Sequence, residues 1–204
     1  MSDSFGRYDV YAVYASIYCY RNTSVLRNRF QIRDNQTLRM IEADISAARQ
    51  SELLEHPLNG HFSPNHLCRI HQKLLGDVYP FAGHYRREDI AKGSTRFLAH
   101  QDIPRKLSHL LQQLQAEKSL MGLDRSELIV RSAYYMAELN YIHPFREGNG
   151  RAIREFMRLL YLRNGYLVDW GAVSVDELLQ AMIDSVFDAG HLENVLDRCL
   201  QSNT

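Results

Sequence analysis

The chain has 204 residues, 24 basic against 24 acidic side chains for a formal charge of zero, and 45% hydrophobic content. That length suits one domain, or one domain with an arm, with enough chain to bury a core. Neutral charge gives no global attraction to nucleic acid or an anionic membrane, and no apolar run approaches the ~18 residues of a spanning helix.

The N-terminal stretch Met-Ser-Asp-Ser-Phe-Gly-Arg carries no signal-peptide pattern, and the three scattered cysteines, Cys19, Cys68 and Cys199, show no metal spacing. Both point to a soluble cytoplasmic protein with idle thiols. Residues 1–33 read as an N-terminal arm packed on the core. Five of the twelve tyrosines fall there, at Tyr8, Tyr11, Tyr14, Tyr18 and Tyr20, without a clean period. The domain proper is expected over 34–204. Asp34 is a good N-cap for a helix through Leu38, Ile41, Ile45 and Ala48 to about Glu55, broken by His56-Pro57-Leu58-Asn59-Gly60. Ser63-Pro64 opens a second helix through Leu67, Ile70 and Leu74.

From Arg86 to Ala99 there is no helical stripe, and Lys92-Gly93-Ser94-Thr95 forms a turn in the middle, so a small hairpin is expected as the only strand candidate. Helices resume over about 102–118, then from the capping-box pair Asp124 and Glu127 to Tyr141. Ile153, Phe156, Met157 and Leu160 form a stripe ending at Asn164-Gly165. Ser174 and Glu177 start a helix with Leu178, Met182 and Val186, and Leu179, Ile183 and Phe187, on its core face. A last helix carries Leu192, Leu196 and Leu200. The class is all-α with one hairpin. His61, His66 and His71 recur every five residues, which rotates them off a common helix face and argues against a metal site.

The chemistry concentrates in His143-Pro144-Phe145-Arg146-Glu147-Gly148-Asn149-Gly150-Arg151, with Arg154 three residues on, at the junction of two helical patterns. Gly148, Asn149 and Gly150 make a turn whose backbone N–H groups can approach an anion closely, at a helix N-terminus where the dipole favours phosphate. Arg151 and Arg154 project from one face near that end. Two guanidinium forks there suit a polyphosphate better than a single carboxylate. Glu147 is placed to hold Mg²⁺ against phosphate oxygens, and His143 to take a proton from a hydroxyl. Any one of these features alone is an ordinary turn, terminator or solvated face; it is their order around one helix start that points to a site.

This stretch resembles the signature of the Fic (filamentation induced by cAMP) family, His-x-Phe-x-(Asp/Glu)-Gly-Asn-Gly-Arg-x-x-Arg, without a gap. Upstream, Ile70-His71-Gln72 through Tyr79 and Phe81-Ala82-Gly83 to Arg86 is similar to the family's helix and turn, with Phe81 where Trp is common. The 86–99 hairpin resembles the Fic flap. The resemblance implies an all-α Fic fold and a protein adenylyltransferase that moves AMP from ATP to a protein hydroxyl. It implies His143 as general base, Phe145 as loop anchor and Glu147 as the Mg²⁺ ligand. Gly148, Asn149 and Gly150 become the anion hole, with Asn149 on the α-phosphate, and Arg151 and Arg154 bind the β- and γ-phosphates. The flap would clamp a target protein by strand addition, with Lys92, Gly93 and Thr95 as candidate contacts to target or nucleotide. A phosphorylating relative has Lys at position 150, so Gly150 favours AMP transfer.

Many Fic proteins carry an inhibitory helix with (Ser/Thr)-x-x-x-Glu-(Gly/Asn), whose Glu opposes the second motif arginine, here Arg154. Neither Glu147-Gly148 nor Glu193-Asn194 completes that pattern, the latter having Ala189 in the Ser/Thr place. The resemblance is therefore to the toxin class held off by a separate small antitoxin that supplies a Glu to Arg154, with type II topoisomerase subunits as family-precedent target. The alternatives are a non-catalytic nucleotide-binding regulatory module, a Fic relative with another nucleotide donor, and a DNA-binding helical protein. Neutral charge and the lack of a helix-turn-helix pattern weigh against the last.

Overall fold

Polar residues at the helix starts set most of the architecture. In a computed structural model describing residues 9–10, 16–92, 95–185 and 188–202 (the backbone alone for Asp9, Val10 and Thr95), the elements run in this order. Strand β1 (Asp9–Val10) precedes helices α1 (Asn35–Glu55) and α2 (Pro64–Leu75), the hairpin β2 (Ile90–Lys92) and β3 (Thr95–Arg96), then α3 (Ile103–Ala116) and α4 (Arg125–Ile142). Helix α5 (Asn149–Arg163) leads into β4 (Tyr166–Val168), α6 (Val175–Asp184), α7 (Gly190–Cys199) and β5 (Leu200–Ser202). Asp34, Ser63, Asp124 and Ser174 each accept a hydrogen bond from the backbone N–H three residues on, satisfying a donor that the first turn leaves unpaired. At Asp124 the bond is reciprocal: Glu127 N–H donates to Asp124 at 2.9 Å, and Asp124 N–H donates to Glu127 at 3.2 Å.

Helix α4 is the centre of the domain. Leu128, Ile129, Ala133, Tyr135, Met136, Ala137, Leu139 and Ile142 are all buried along it, as expected of a helix covered on several sides. It packs against α3, α5 and α7, while α5 also lies on α2. Helix α5 contributes Ala152, Ile153, Phe156, Met157, Leu159 and Leu160 to the same core. The fold is therefore the expected all-α bundle, with a small hairpin beside it. Among the described residues, no helix is long and apolar enough to cross a membrane.

Four expectations need correction. The hairpin is shorter than 86–99: only β2 and β3 pair, because the flanking backbone bonds instead to the end of α4 and the connection after it, Leu98 N–H to Tyr141 C=O at 3.1 Å and Arg86 N–H to Pro144 C=O at 2.8 Å. The hairpin also gains a strand, since β1 pairs antiparallel with β2 (Asp9 opposite Ala91), leaving β3 as the outer strand on the other side. The hairpin is also not the only sheet. Strands β4 and β5 pair antiparallel, Tyr166 opposite Ser202 and Val168 opposite Leu200, where Gly165 at φ 81° turns the chain out of α5. Finally, α6 buries Leu178 and Ala181 but leaves Ile183 39% exposed, so its apolar face is narrower than its sequence suggests; Val186 and Phe187 lie outside the described residues.

Residues 16–33 rest on the core through buried Cys19 and Val25. Tyr18 accepts a hydrogen bond from Arg87 N–H at 2.9 Å and packs edge-on against Phe81. Tyr8, Tyr11 and Tyr14 lie outside the described residues.

Candidate active site

The motif is the connection between α4 and α5, and each bend in it has a local cause. His143 ends α4 in the left-handed region (φ 46°, ψ 62°), next to Pro144, which disfavours helical geometry in the residue before it. Gly148 starts α5 at φ 76°. A Cβ there would lie 2.1 Å from Leu75 Cδ1, so both conformation and space demand glycine. Between them Phe145 is fully buried and stacks on His71 with ring centroids 3.8 Å apart. Asn149 closes the loop: Phe145 N–H donates to its Oδ1, and its Nδ2 donates back to Phe145 C=O, both at 2.8 Å.

His71 fixes the loop from the α2 side. Gly83 N–H donates to Nδ1 at 2.8 Å, so that nitrogen is an acceptor and the proton sits on Nε2, which donates to Glu147 C=O at 2.8 Å. Burial pushes the His71 pKa down to about 3, keeping this tautomer neutral. The ring thereby ties α2, the turn at Gly83 and the motif loop to one another.

His143 is 5% exposed and lies under Phe97 of the flap, the two rings stacked at 3.8 Å. Its Nδ1 is 2.9 Å from Asn140 C=O, which can only accept, so Nδ1 carries the proton and the lone pair of the neutral ring is on Nε2. Burial first, then the nearby cations of Arg86 and Lys92, holds its pKa down at about 3. Its backbone is held by Arg86, whose fully buried guanidinium donates to His143 C=O at 2.9 Å, Glu88 C=O at 2.9 Å, Ile142 C=O at 3.3 Å and Leu98 C=O. One side chain thus joins the flap base to the end of α4.

At the start of α5 the charges crowd. Arg151 pairs through Nη2 with Glu42 of α1, and Glu147 Oε1 lies 3.9 Å from the same nitrogen. Glu147 also accepts from Gly148 N–H at 2.9 Å. Burial, with the charge of Glu42 second, raises the Glu147 pKa despite Arg151. Arg154 reaches back over the turn, its Nη1 3.3 Å from where a Gly150 Cβ would stand. Gly150 has ordinary backbone geometry, and a side chain there would press on Arg154 Nη1. Lys92 is half-buried, and its charge acts on both Glu147 and His143, which places it between flap and motif.

His143, Glu147, Gly148, Asn149, Gly150, Arg151, Arg154 and Lys92 thus share one region. The side chain of Asn149 is committed to Phe145, so what Asn149 can offer an anion is its backbone N–H rather than its amide. Gly93 and the side chain of Thr95 lie outside the described residues. Sequence reasoning missed Phe97 and Glu42. Neither is part of a local pattern, and Glu42 is followed by Ala43 rather than the Gly or Asn of an inhibitory helix. The site is therefore not without an internal carboxylate, although this one meets Arg151 rather than Arg154.

A pH effect follows from the buried imidazoles. His71 and His143 are neutral in the fold, with pKa values of about 3 against an ordinary 6.5, and burial lowers His66 as well. The unfolded chain binds more protons below pH 6.5, so stability is fully present above that value and is lost as pH falls towards 3. Urea unfolding should show a slope growing from about 0.7 kcal/mol per pH unit at pH 6.5 to about 1.3 at pH 5 for each of His71 and His143. The slope should become shallower by about one proton in His71→Phe.

The sequence profile of the Fic/DOC family matches residues 61–161. The protein adenylyltransferase VbhT of Bartonella schoenbuchensis is 40% identical over 86% of this chain, which spans 37% of that relative's length. A probable protein adenylyltransferase Fic of Salmonella typhimurium is 35% identical, with 89% of this chain and 86% of the relative covered. Among solved structures, the N-terminal Fic domain of a putative cell filamentation protein from Bartonella quintana, with bound ADP, superposes with a TM-score of 0.86 at 25% identity, covering 92% of this chain and 95% of that one.

Proposed function

The chain belongs to the Fic/DOC family, and from that premise we propose that it is a protein adenylyltransferase, moving AMP from ATP to a hydroxyl side chain of another protein. The observation that carries the reading is the tautomer of His143. Asn140 C=O holds the ring proton on Nδ1, so the neutral ring has its lone pair on Nε2 at a site bordered by the anion-binding start of α5. Nε2 takes the proton of the target hydroxyl. The hydroxyl oxygen forms a bond to the α-phosphorus of ATP, the bond from that phosphorus to the bridging oxygen breaks, and pyrophosphate leaves. The low basicity of His143 keeps the ring neutral at physiological pH, and negative charge from the triphosphate makes accepting a proton more favourable.

The chain's own groups handle the nucleotide. Gly148 N–H is already given to Glu147, so the backbone N–H groups of Asn149 and Gly150 and the dipole of α5 receive phosphate oxygens, while Arg151 and Arg154 neutralise the β- and γ-phosphates that depart. Among the described residues, no three His, Cys, Asp or Glu side chains gather into a metal cage. A single partly exposed carboxylate such as Glu147 fits an ion that keeps its waters and is shared with substrate phosphates, which is how Mg²⁺ is held. When bound there, Mg²⁺ would neutralise charge on the phosphates.

The flap would receive the target. Because β1 lies along β2, strand addition falls to the β3 edge, beside Phe97 and His143. The sequence holds no complete (Ser/Thr)-x-x-x-Glu-(Gly/Asn) pattern, and on that ground we read the chain as a cytoplasmic toxin restrained by a small antitoxin chain that brings a Glu to Arg154, with type II topoisomerase subunits as target class. Co-expression with the neighbouring small open reading frame should restore growth; continued toxicity would sink the antitoxin reading. For the activity itself, a lysate given α-phosphate-labelled ATP and this chain should show a labelled protein band whose peptides carry AMP. A chain that binds ATP and labels nothing would be a regulatory nucleotide-binding module instead, and preferential labelling from another nucleotide would change the donor.

A further inference from the structure

Glu42 stands more than a hundred residues before the motif, yet its carboxylate holds one of the motif's two arginines. One oxygen accepts from Arg151 Nη2 and the other from the Tyr79 hydroxyl. The Glu42 and Arg151 side chains are 13% and 20% exposed, and Tyr79 is buried. Burial, then the charge of Glu42, raises the Tyr79 pKa, so its hydroxyl remains a donor. Two hydrogen bonds therefore run from the turn after α2, through α1, to the first turn of α5.

A carboxylate beside a phosphate-binding arginine can do one of two things: compete with the phosphate or orient the arginine. Competition requires the carboxylate to leave when nucleotide binds. Here leaving would also break the bond to Tyr79 and strand a buried hydroxyl without its acceptor. Glu42 is moreover carried on a helix packed along α2. Its contact engages one terminal nitrogen of Arg151, and a guanidinium presents five N–H donors in a rigid plane. Gripping one nitrogen fixes that plane while other donors remain to meet an anion. Arg151 also faces Glu147 at 3.9 Å, so its charge is balanced by two acids before any ligand contributes.

We propose that Glu42, oriented by Tyr79, is a positioning residue that presents Arg151 to the β- and γ-phosphates and so sets the preference of the site for a nucleoside triphosphate over a monophosphate. This rests on the reading above that Arg151 binds those phosphates. Its consequence is selective. Losing the bracket weakens binding of the polyphosphate tail and leaves binding of the nucleoside and α-phosphate as it was.

The test is calorimetric titration of the folded chain with Mg·ATP and, separately, with AMP, for wild type, Glu42→Gln, Glu42→Ala, Tyr79→Phe, Arg151→Ala and the Glu42→Ala/Arg151→Ala double variant. The Glu42 variants should bind ATP about tenfold more weakly, with AMP affinity within about twofold of wild type. Tyr79→Phe should show a smaller loss of the same kind. In the Arg151→Ala background, Glu42→Ala should add nothing further, because its effect passes through Arg151. In turnover, KM for ATP should rise while kcat stays within about threefold. Should Glu42→Ala fail to fold, the isosteric Glu42→Gln and Tyr79→Phe carry the same comparison. Equal weakening of ATP and AMP, an additive double variant, or unchanged or tighter ATP binding would each overturn the proposal. The titrations need no turnover, so a wild-type chain that transfers no AMP would refute the adenylyltransferase reading while the role of Glu42 is still decided by binding.

Discussion

His143→Ala is expected to lower AMP transfer by at least about a thousandfold while leaving Mg·ATP affinity within a few-fold of wild type. General-base catalysis is worth roughly 10² to 10⁴ in rate, and here the base also places the lone pair that meets the target hydroxyl. The phosphate-binding groups, in contrast, belong to the start of α5, which is anchored independently by Asn149, His71 and Glu42. Removing the ring also takes away the stacking partner of Phe97, so the control is the unfolding midpoint of the variant. Single-turnover transfer measured beside equilibrium ATP binding separates the two roles. Transfer at the wild-type rate by a folded His143→Ala chain would refute His143 as the base.

Arg86→Met should cost about 3–5 kcal/mol of stability. The guanidinium is fully buried and serves four backbone carbonyls, those of Glu88, Leu98, Ile142 and His143. Methionine fills much of the volume and donates to none of them, and each buried acceptor left unpaired costs about 1–3 kcal/mol. The loss is tempered because burying the cation is itself unfavourable, which the lowered Arg86 pKa records. At about 2–4 °C per kcal/mol for a chain of this size, Tm should fall by roughly 10 °C or more. Arg86→Lys should recover only part, since one ammonium cannot span carbonyls on both the flap base and the end of α4. Urea unfolding of the three proteins decides it, and a loss under about 1 kcal/mol for Arg86→Met would mean that Arg86 is not what joins flap to site.

What could be read from the sequence was what is encoded locally. The starts of α1, α2, α4 and α6 lie where Asp34, Ser63, Asp124 and Ser174 place them, because a cap bonds only three residues along the chain. The motif order likewise located the helix end at His143, the buried Phe145 and the glycine start of α5. What escaped depends on contacts between distant segments. β4 has a partner more than thirty residues away, and nothing in Tyr166-Leu167-Val168 announces Leu200-Gln201-Ser202. Two residues of β1 find the flap from across the chain. Glu42 lies on the inward face of α1, one turn from buried Leu38 and buried Ser46, and its partner Arg151 is 109 residues further along the chain, so no local pattern announces the pair. The side chain of Asn149 shows the reverse case: a motif residue expected to face the ligand is turned inward by the short span it has to close.

Which phosphorus is attacked can be measured directly. Purified chain, Mg²⁺ and a target protein drawn from lysate should be incubated in parallel with ATP labelled at the α-phosphate and ATP labelled at the γ-phosphate, with His143→Ala alongside. The prediction is label on the target from α-labelled ATP alone, one pyrophosphate released per label, and none of either from the variant. Label carried over from the γ-position, or α-label transferred equally by His143→Ala, would contradict it.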